Sequence, residues 1–168
     1  MALIDFPDGE TCYIDTNIFY YHLVTTPFVS EDCSDFLKLV ELGRVRAITS
    51  SVAVAEATHK VMLAEVVQRH GVDHKGLVSR IKRHPHLLDG LTAHKAVSDS
   101  VRSLRIGLET IGLDSIARAA DLSSQHRRLT NDALALAVME KTGVMRIATN
   151  DDDFDRVGSI TVFKPRRA

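Results

Sequence analysis

The stretch "TCYIDTNIF", Thr11 to Phe19, is the most informative part of the chain for the fold. It begins as a short apolar strand and then breaks at Asp15, Thr16 and Asn17, which are residue types that favour turns and helix caps. In open parallel sheets, ligands bind in the crevice beyond the carboxyl ends of the strands. Asp15, directly after a strand, is therefore the first candidate for a functional residue.

Short apolar strands alternate with helical patterns along the rest of the chain. Further strands are predicted at 44–51, 108–115, 144–150 and 159–165. Helices are predicted at 30–43, 52–71, 116–129 and 130–143, with caps at Thr130 or Asn131 and at Gly143 for the last one, and one helical turn is predicted at 151–157. A helical region that is interrupted at Pro85 spans about 72–107. This order predicts an α/β fold with a parallel sheet covered by helices on both faces.

Length and composition are typical of one globular domain. The chain has 168 residues, of which 45% are hydrophobic, and its formal net charge is −1, so a single domain over residues 1–168 with one substantial core is expected. No apolar run is long enough to cross a bilayer, and the first ten residues do not have the pattern of a secretory signal. The sequence therefore predicts a cytoplasmic protein without membrane attachment. Cys12 and Cys33 lack metal-binding spacing and are interpreted as structural thiols.

Basic residues are grouped at four places, although the net charge is near zero. The groups are His74 to His86, Arg102 with Arg105, Arg127 with Arg128, and the tail "KPRRA". Such groups can contact phosphate, but the solvated surface of a helix has the same pattern. The surface interpretation is preferred for each group, and the eight histidines, which lack helical metal-ligand pairing, are also interpreted as surface residues.

Four acids stand where the predicted elements bring chain segments to one edge of the sheet. Asp15 and Asp151 follow strands, Asp132 lies in the first turn of an apolar helix, and Glu56 is surrounded by small apolar residues in "SSVAVAEATHK". Each aspartate alone could be a turn residue, a helix cap or a first-turn anion. Glu56 is harder to explain structurally, because an unpaired carboxylate on an apolar helix face costs several kcal/mol.

A converging set of carboxylates needs a compensating charge. Two carboxylates about 4 Å apart repel by roughly 4 kcal/mol at an effective dielectric near 20, so protons, basic partners or a cation must be present. A divalent metal is the simplest solution, and oxygen-only ligands favour Mg²⁺ or Mn²⁺ over Zn²⁺. Such an ion could activate a water that attacks a phosphodiester.

At these residues the sequence resembles the PIN-domain ribonucleases, the family that includes the VapC-type toxins of toxin-antitoxin pairs. The resemblance is carried, in chain order, by "YIDTNIF", "TSSVAVAEATHKV", "NDALALA" and "IATNDDDFDRV". It spans nearly the whole chain and implies a three-layer α/β/α fold. It also implies a Mg²⁺- or Mn²⁺-dependent endoribonuclease that cleaves RNA with a metal-activated water, an antitoxin protein as a partner, and a homodimer.

The resemblance also implies roles for individual residues. The catalytic and metal-binding acids would be Asp15, Glu56, Asp132 and Asp151, and Asp153 would be an auxiliary metal ligand or a residue that positions the metal. Asn17 and Thr149 match polar positions that support the acids by hydrogen bonds. Three neighbours are interpreted structurally, with Asp152 and Asp155 on a solvated turn and Phe154 in the core.

One departure and several alternatives remain. Compact VapC toxins are shorter, so the region at about 72–107 is enlarged, and its basic residues Lys75, Arg80, Lys82 and Arg83 are a candidate RNA contact. A phosphatase of the haloacid dehalogenase class would need an aspartate where Asn17 stands, and a receiver domain would need a different acidic spacing. A catalytically inactive module that binds a metal or a phosphate is the non-enzyme alternative.

Overall fold

Five short parallel strands form the central sheet. A computed structural model describes residues 1–27 and 29–166, and its strands are β1 (Thr11–Ile14), β2 (Arg46–Ser50), β3 (Gly107–Glu109), β4 (Arg146–Ala148) and β5 (Thr161–Phe163). Their order across the sheet is β3-β2-β1-β4-β5. Tyr13 pairs with Ile147 and Ile14 with Ala148, so β1 and β4 end side by side at the centre of the sheet.

Seven α-helices connect the strands in the described part of the chain. They are α1 (Thr16–Leu23), α2 (Val29–Glu41), α3 (Ser51–His70), α4 (Leu77–Arg83), α5 (Lys95–Ser103), α6 (Leu113–His126) and α7 (Thr130–Thr142), and short 3₁₀ helices lie at Leu3–Asp5, Pro85–Leu88 and Asp152–Arg156. None of the described helices combines the length and the apolar character that a bilayer span requires.

The two faces of the sheet pack against different cores because side chains alternate along each strand. Cys12 and Ile14 of β1 lie in the core that contains residues of α1, α2, α3 and α5. Tyr13 lies in the opposite core, with α6, α7 and the last 3₁₀ helix. The result is the predicted three-layer α/β/α arrangement around a parallel sheet. Both cysteines are fully buried and free, as predicted, and burial raises the pKa of the Cys33 thiol to about 12.

The predicted helical region at about 72–107 contains α4, α5 and a 3₁₀ turn with Pro85 in its first position. It has a small core of its own around Val66, Leu77, Leu87 and Leu91. Glu65 of α3 holds the entry to α5, because its carboxylate accepts hydrogen bonds from the backbone N–H groups of Thr92 (3.0 Å) and Ala93 (2.9 Å).

Three local predictions need correction. The strand predicted at 108–115 is only Gly107–Glu109, and α6 already begins at Leu113. The residue that caps α7 is Leu129, not Thr130 or Asn131, and no side chain caps this end. Asn131 lies inside the first turn, where its side chain is available for a contact with α3. The last strand is shorter than the predicted 159–165, since only 161–163 pair as a strand, and Lys164 forms an isolated bridge with Ala2.

Candidate metal site

A small cavity of about 70 Å³ opens where β1 and β4 end. All four acids predicted from the sequence line it: Asp15, Glu56, Asp132 and Asp151. Asp15 follows β1, and Asp151 comes shortly after β4. Glu56 lies in the second turn of α3, and Asp132 lies in the first turn of α7. The topology therefore brings residues that are up to 136 positions apart in sequence to one edge of the sheet.

Asp15 is held on both of its oxygen atoms. It caps α1, with Oδ1 accepting a hydrogen bond from the backbone N–H of Thr16 at 2.7 Å. Oδ2 accepts one from Asn17 Nδ2 at 2.6 Å and one from Thr149 Oγ1 at 2.7 Å. Burial raises the pKa of Asp15 to about 6, although these hydrogen bonds oppose the rise and the charges of Asp132 and Glu56 add to it.

Asn17 and Thr149 connect Asp15 to the chain that follows β4. The Thr149 hydroxyl, which is fully buried, accepts hydrogen bonds from Asn17 Nδ2 and from the backbone N–H of Asp151, both at 3.0 Å. Asn17 Oδ1 accepts one from the backbone N–H of Asn150 at 2.8 Å. These two side chains therefore fix the positions of Asp15 and Asp151 relative to each other.

The acids of the late part of the chain form a compact cluster. One carboxylate oxygen from each of Asp132, Asp151 and Asp153 lies within 4.8 Å of the others. Asp151 also caps the 3₁₀ helix, because its Oδ1 accepts a hydrogen bond from the backbone N–H of Asp153 at 2.8 Å. Burial and the charges of Asp151 and Asp153 raise the pKa of Asp132 to about 6. The repulsion within the cluster is therefore incompletely compensated in the protein alone.

Glu56 is not the isolated carboxylate that its apolar neighbours suggested. Its Oε1 lies 2.8 Å from Lys60 Nζ, one helical turn further along α3. Its Oε2 accepts a hydrogen bond of 2.7 Å from Asn131 Nδ2 on α7. Lys60 and Asn131 were missed by the sequence interpretation. The four-residue spacing on a helix could have revealed Lys60, whereas no local signal revealed Asn131.

Arg128 is the largest departure from expectation at the site. It was interpreted as part of a solvated basic group, but it is buried, and its Nη1 lies 2.9 Å from Asp153 Oδ1. Asp152 and Asp155 are exposed, and both pair with Lys164. Phe154, between them, is 1% exposed and packs in the core, as predicted.

The donor set fits a hard divalent cation. The candidate ligand atoms of the cluster are all carboxylate oxygens, and neither histidine nor cysteine lines the cavity. Oxygen donors of this kind suit Mg²⁺ or Mn²⁺. The raised pKa values of Asp15 and Asp132 indicate that added positive charge would stabilise the site.

A family model described as the PIN domain matches residues 12–160. The chain belongs to the PIN domain family. This match includes every acid that lines the cavity. No curated protein matches the sequence.

Solved structures of two other proteins have the same fold. The toxin VapC20 of Mycobacterium tuberculosis, described as cleaving the sarcin-ricin loop, is 18% identical, with a TM-score of 0.59 over 88% of this chain and 95% of that one. VapBC2 of Rickettsia felis, described as bound to a DNA fragment from its promoter, is 14% identical, with a TM-score of 0.57 over 92% of this chain and 98% of that one. At these identities the likeness concerns the fold of the PIN domain.

Proposed function

We propose that this PIN domain is a Mg²⁺- or Mn²⁺-dependent endoribonuclease that hydrolyses RNA phosphodiester bonds at the acidic cavity. One observation carries the proposal: Asp132, Asp151 and Asp153 place carboxylate oxygens within 4.8 Å of one another, beside a cavity that Asp15 and Glu56 also line. When bound there, a divalent ion would supply a nucleophilic water at neutral pH and offset charge on the phosphate.

The residues of the chain have separate tasks in this proposal. Asp15, Asp132 and Asp151 would hold the ion, and Glu56, which also lines the cavity, would orient the attacking water or a ligand water of the ion. Asn17 and Thr149 fix the Asp15 carboxylate by the hydrogen bonds described above. Preorganised ligands of this kind need no rearrangement when charge develops on the phosphate.

Lys60 is a basic residue that lines the cavity. Its ammonium pairs with Glu56, and its side chain remains 46% exposed at the mouth of the cavity. It can therefore rotate toward a phosphate oxygen of RNA without first being desolvated. The exposed basic residues of α4, which include Arg80, Lys82 and Arg83, would extend the contact with the RNA backbone.

The names of the two structural neighbours support a biological role. One is called a toxin, and the other is named VapBC2. Together with the resemblance to VapC-type toxins, these names lead us to propose that this chain is the toxin of a toxin-antitoxin pair, acts in the cytoplasm and forms a homodimer. A small antitoxin-like reading frame beside its gene would support this role. Light scattering of the purified chain would test the dimer, which a monomeric mass would contradict.

The test of the proposed chemistry is incubation of the purified protein with end-labelled RNA in Mg²⁺, in Mn²⁺ or in EDTA. Cleavage should require one of the ions and should leave no cyclic phosphate, because water and not the ribose hydroxyl is the nucleophile. Cleavage that persists in EDTA, or products that carry a cyclic phosphate, would contradict the proposal. Ion binding without cleavage of any RNA would favour an inactive binding module.

A further inference from the structure

Arg128 is a buried cation at the edge of the acidic cluster. Its side chain is 5% exposed, and Nη1 lies 2.9 Å from Asp153 Oδ1. Nε is buried and has no hydrogen-bond partner among residues 1–27 and 29–166. An arginine with an unsatisfied buried donor is costly in a folded protein. A buried arginine of this kind is expected where its positive charge has a function that outweighs the cost in stability.

The end of α6 directs Arg128 toward the cluster. Arg127 ends the helix in the left-handed conformation, with φ of 54°. The backbone of Arg128 is then held by Ser123, whose carbonyl oxygen accepts its N–H at 3.1 Å and whose hydroxyl donates to its carbonyl oxygen at 2.6 Å. These two hydrogen bonds fix the backbone of Arg128 and therefore the direction in which its side chain leaves the chain. Arg128 is therefore a built part of the site rather than a surface residue that happens to lie near it.

We propose that Arg128 is a positioning residue that occupies the place of a second cation, so that this site binds one divalent ion and not two. This inference rests on the metal-dependent function proposed above. Asp153 connects the two, because it contributes an oxygen to the acidic cluster and one of its two carboxylate oxygens, Oδ1, pairs with the guanidinium. The fixed positive charge beside Asp153 also repels a second dication. Asp132 and Asp151, which line the cavity together with Asp15, would hold the single ion.

The experiment is a titration of the purified protein with Mn²⁺ in the absence of RNA. The electron paramagnetic resonance signal of the free ion measures how many ions the protein binds. The wild type should bind one ion. Arg128→Gln should bind a second, because Asp153 becomes available as a ligand. Arg128→Lys, which retains the charge, should still bind one. A role of Arg128 in stability alone would not change the number of ions.

Asp153 provides a second arm of the experiment, and its first comparison does not depend on the folding of an Arg128 variant. Asp153→Asn in the wild-type background should change the Kd for the first Mn²⁺ by less than about threefold, whereas Asp151→Asn should weaken it by about tenfold or more. In the Arg128→Gln background, Asp153→Asn should abolish the second ion. Thermal melts followed by circular dichroism would verify that each variant is folded.

Three results would overturn the inference: two ions in the wild type, one ion in folded Arg128→Gln, or equal losses of affinity in Asp153→Asn and Asp151→Asn. Failure of the proposed function is a different result, since it would appear as EDTA-resistant cleavage or as a wild type that binds no Mn²⁺. The number of bound ions thus tests the role of Arg128, and the cleavage of RNA tests the proposed function.

Discussion

Thr149 is the residue through which the two central strands hold the Asp15 carboxylate. Its hydroxyl donates to Asp15 Oδ2 and accepts hydrogen bonds from Asn17 and from the backbone N–H of Asp151. Three polar groups therefore depend on one buried oxygen. Valine has nearly the same shape but lacks this oxygen, so a substitution to valine isolates the contribution of the hydroxyl.

Thr149→Val should lower the free energy of unfolding by about 1–3 kcal/mol, because buried polar groups lose their partner. It should also weaken binding of Mn²⁺ by about tenfold or more, because Asp15 is less well oriented. Urea denaturation and calorimetric titration measure the two effects. The matched control is Thr58→Val, whose hydroxyl bonds only to the carbonyl oxygen of Val54 within α3. Equal losses of ion affinity in the two variants would contradict the role of Thr149.

Asp132 is under opposing influences that a neutral variant can separate. Its position in the first turn of α7 favours a negative charge, but burial and the charges of Asp151 and Asp153 raise its pKa to about 6. The second influence is larger. In EDTA near neutral pH, Asp132→Asn should therefore raise the free energy of unfolding, by about 1 kcal/mol after allowance for partial exposure. Urea denaturation checks this, and a loss of stability would show that the helix position dominates.

At the scale of elements, α4 and the 3₁₀ turn that follows it pack on the end of α3 in a core separate from that of the sheet. Leu77 of α4 is 2% exposed and packs with Val66, Leu87 and Leu91. Leu77→Ala should lower the free energy of unfolding of this region by about 2–5 kcal/mol. Hydrogen exchange followed by mass spectrometry should show faster exchange in 72–91, while α7 and β4 remain protected. Loss of protection throughout the chain would instead show that this region and the sheet unfold as one cooperative unit.

Most of the order of elements was predictable because most elements have a local signal; α1, where only a turn was expected, is an exception. The apolar strand before Asp15, the helical pattern around Glu56 and the stop at Gly143 all appear in the sequence. The carboxyl ends of parallel strands meet at one edge, so the shared location of Asp15 and Asp151 followed from topology. Local pattern thus predicted the layers and the acids that line the cavity.

The basic and amide partners of these acids were not predictable. Arg127 and Arg128 are adjacent arginines, yet Arg127 is exposed and Arg128 is buried. The difference arises from the left-handed turn at Arg127, which redirects the chain after α6. Asn131 was expected to cap α7, but its side chain donates to Glu56 on a different helix. Both contacts depend on how helices pack around the sheet, which no local pattern records.

At the scale of the whole molecule, stability and ion binding should be linked through pH. Asp15 and Asp132 have pKa values of about 6 in the folded protein, above the ordinary value of 3.8. Between these values the folded state binds more protons than the unfolded state, so these two groups lower the free energy of unfolding as pH rises from about 4 to about 6. A bound divalent ion reverses this contribution, because it requires both groups to be ionised.

The increase in Tm caused by saturating Mg²⁺ should therefore be large at about pH 7.5 and small at about pH 5. Differential scanning fluorimetry in Mg²⁺ and in EDTA measures the increase at each pH. Asp132→Asn, which removes one of the two titrating groups, should show a smaller increase at the higher pH. An increase that is independent of pH would place the ion away from Asp15 and Asp132.

The most direct test of the account is the initial rate of RNA cleavage in Mn²⁺ by the wild type, Asp132→Asn and Asp155→Asn. The last variant makes the same chemical change on the exposed 3₁₀ turn, where the carboxylate pairs with Lys164 outside the cavity. The account predicts that Asp132→Asn lowers the rate by about a hundredfold or more, while Asp155→Asn stays within about twofold of the wild type. Equal rates for all three proteins would contradict it.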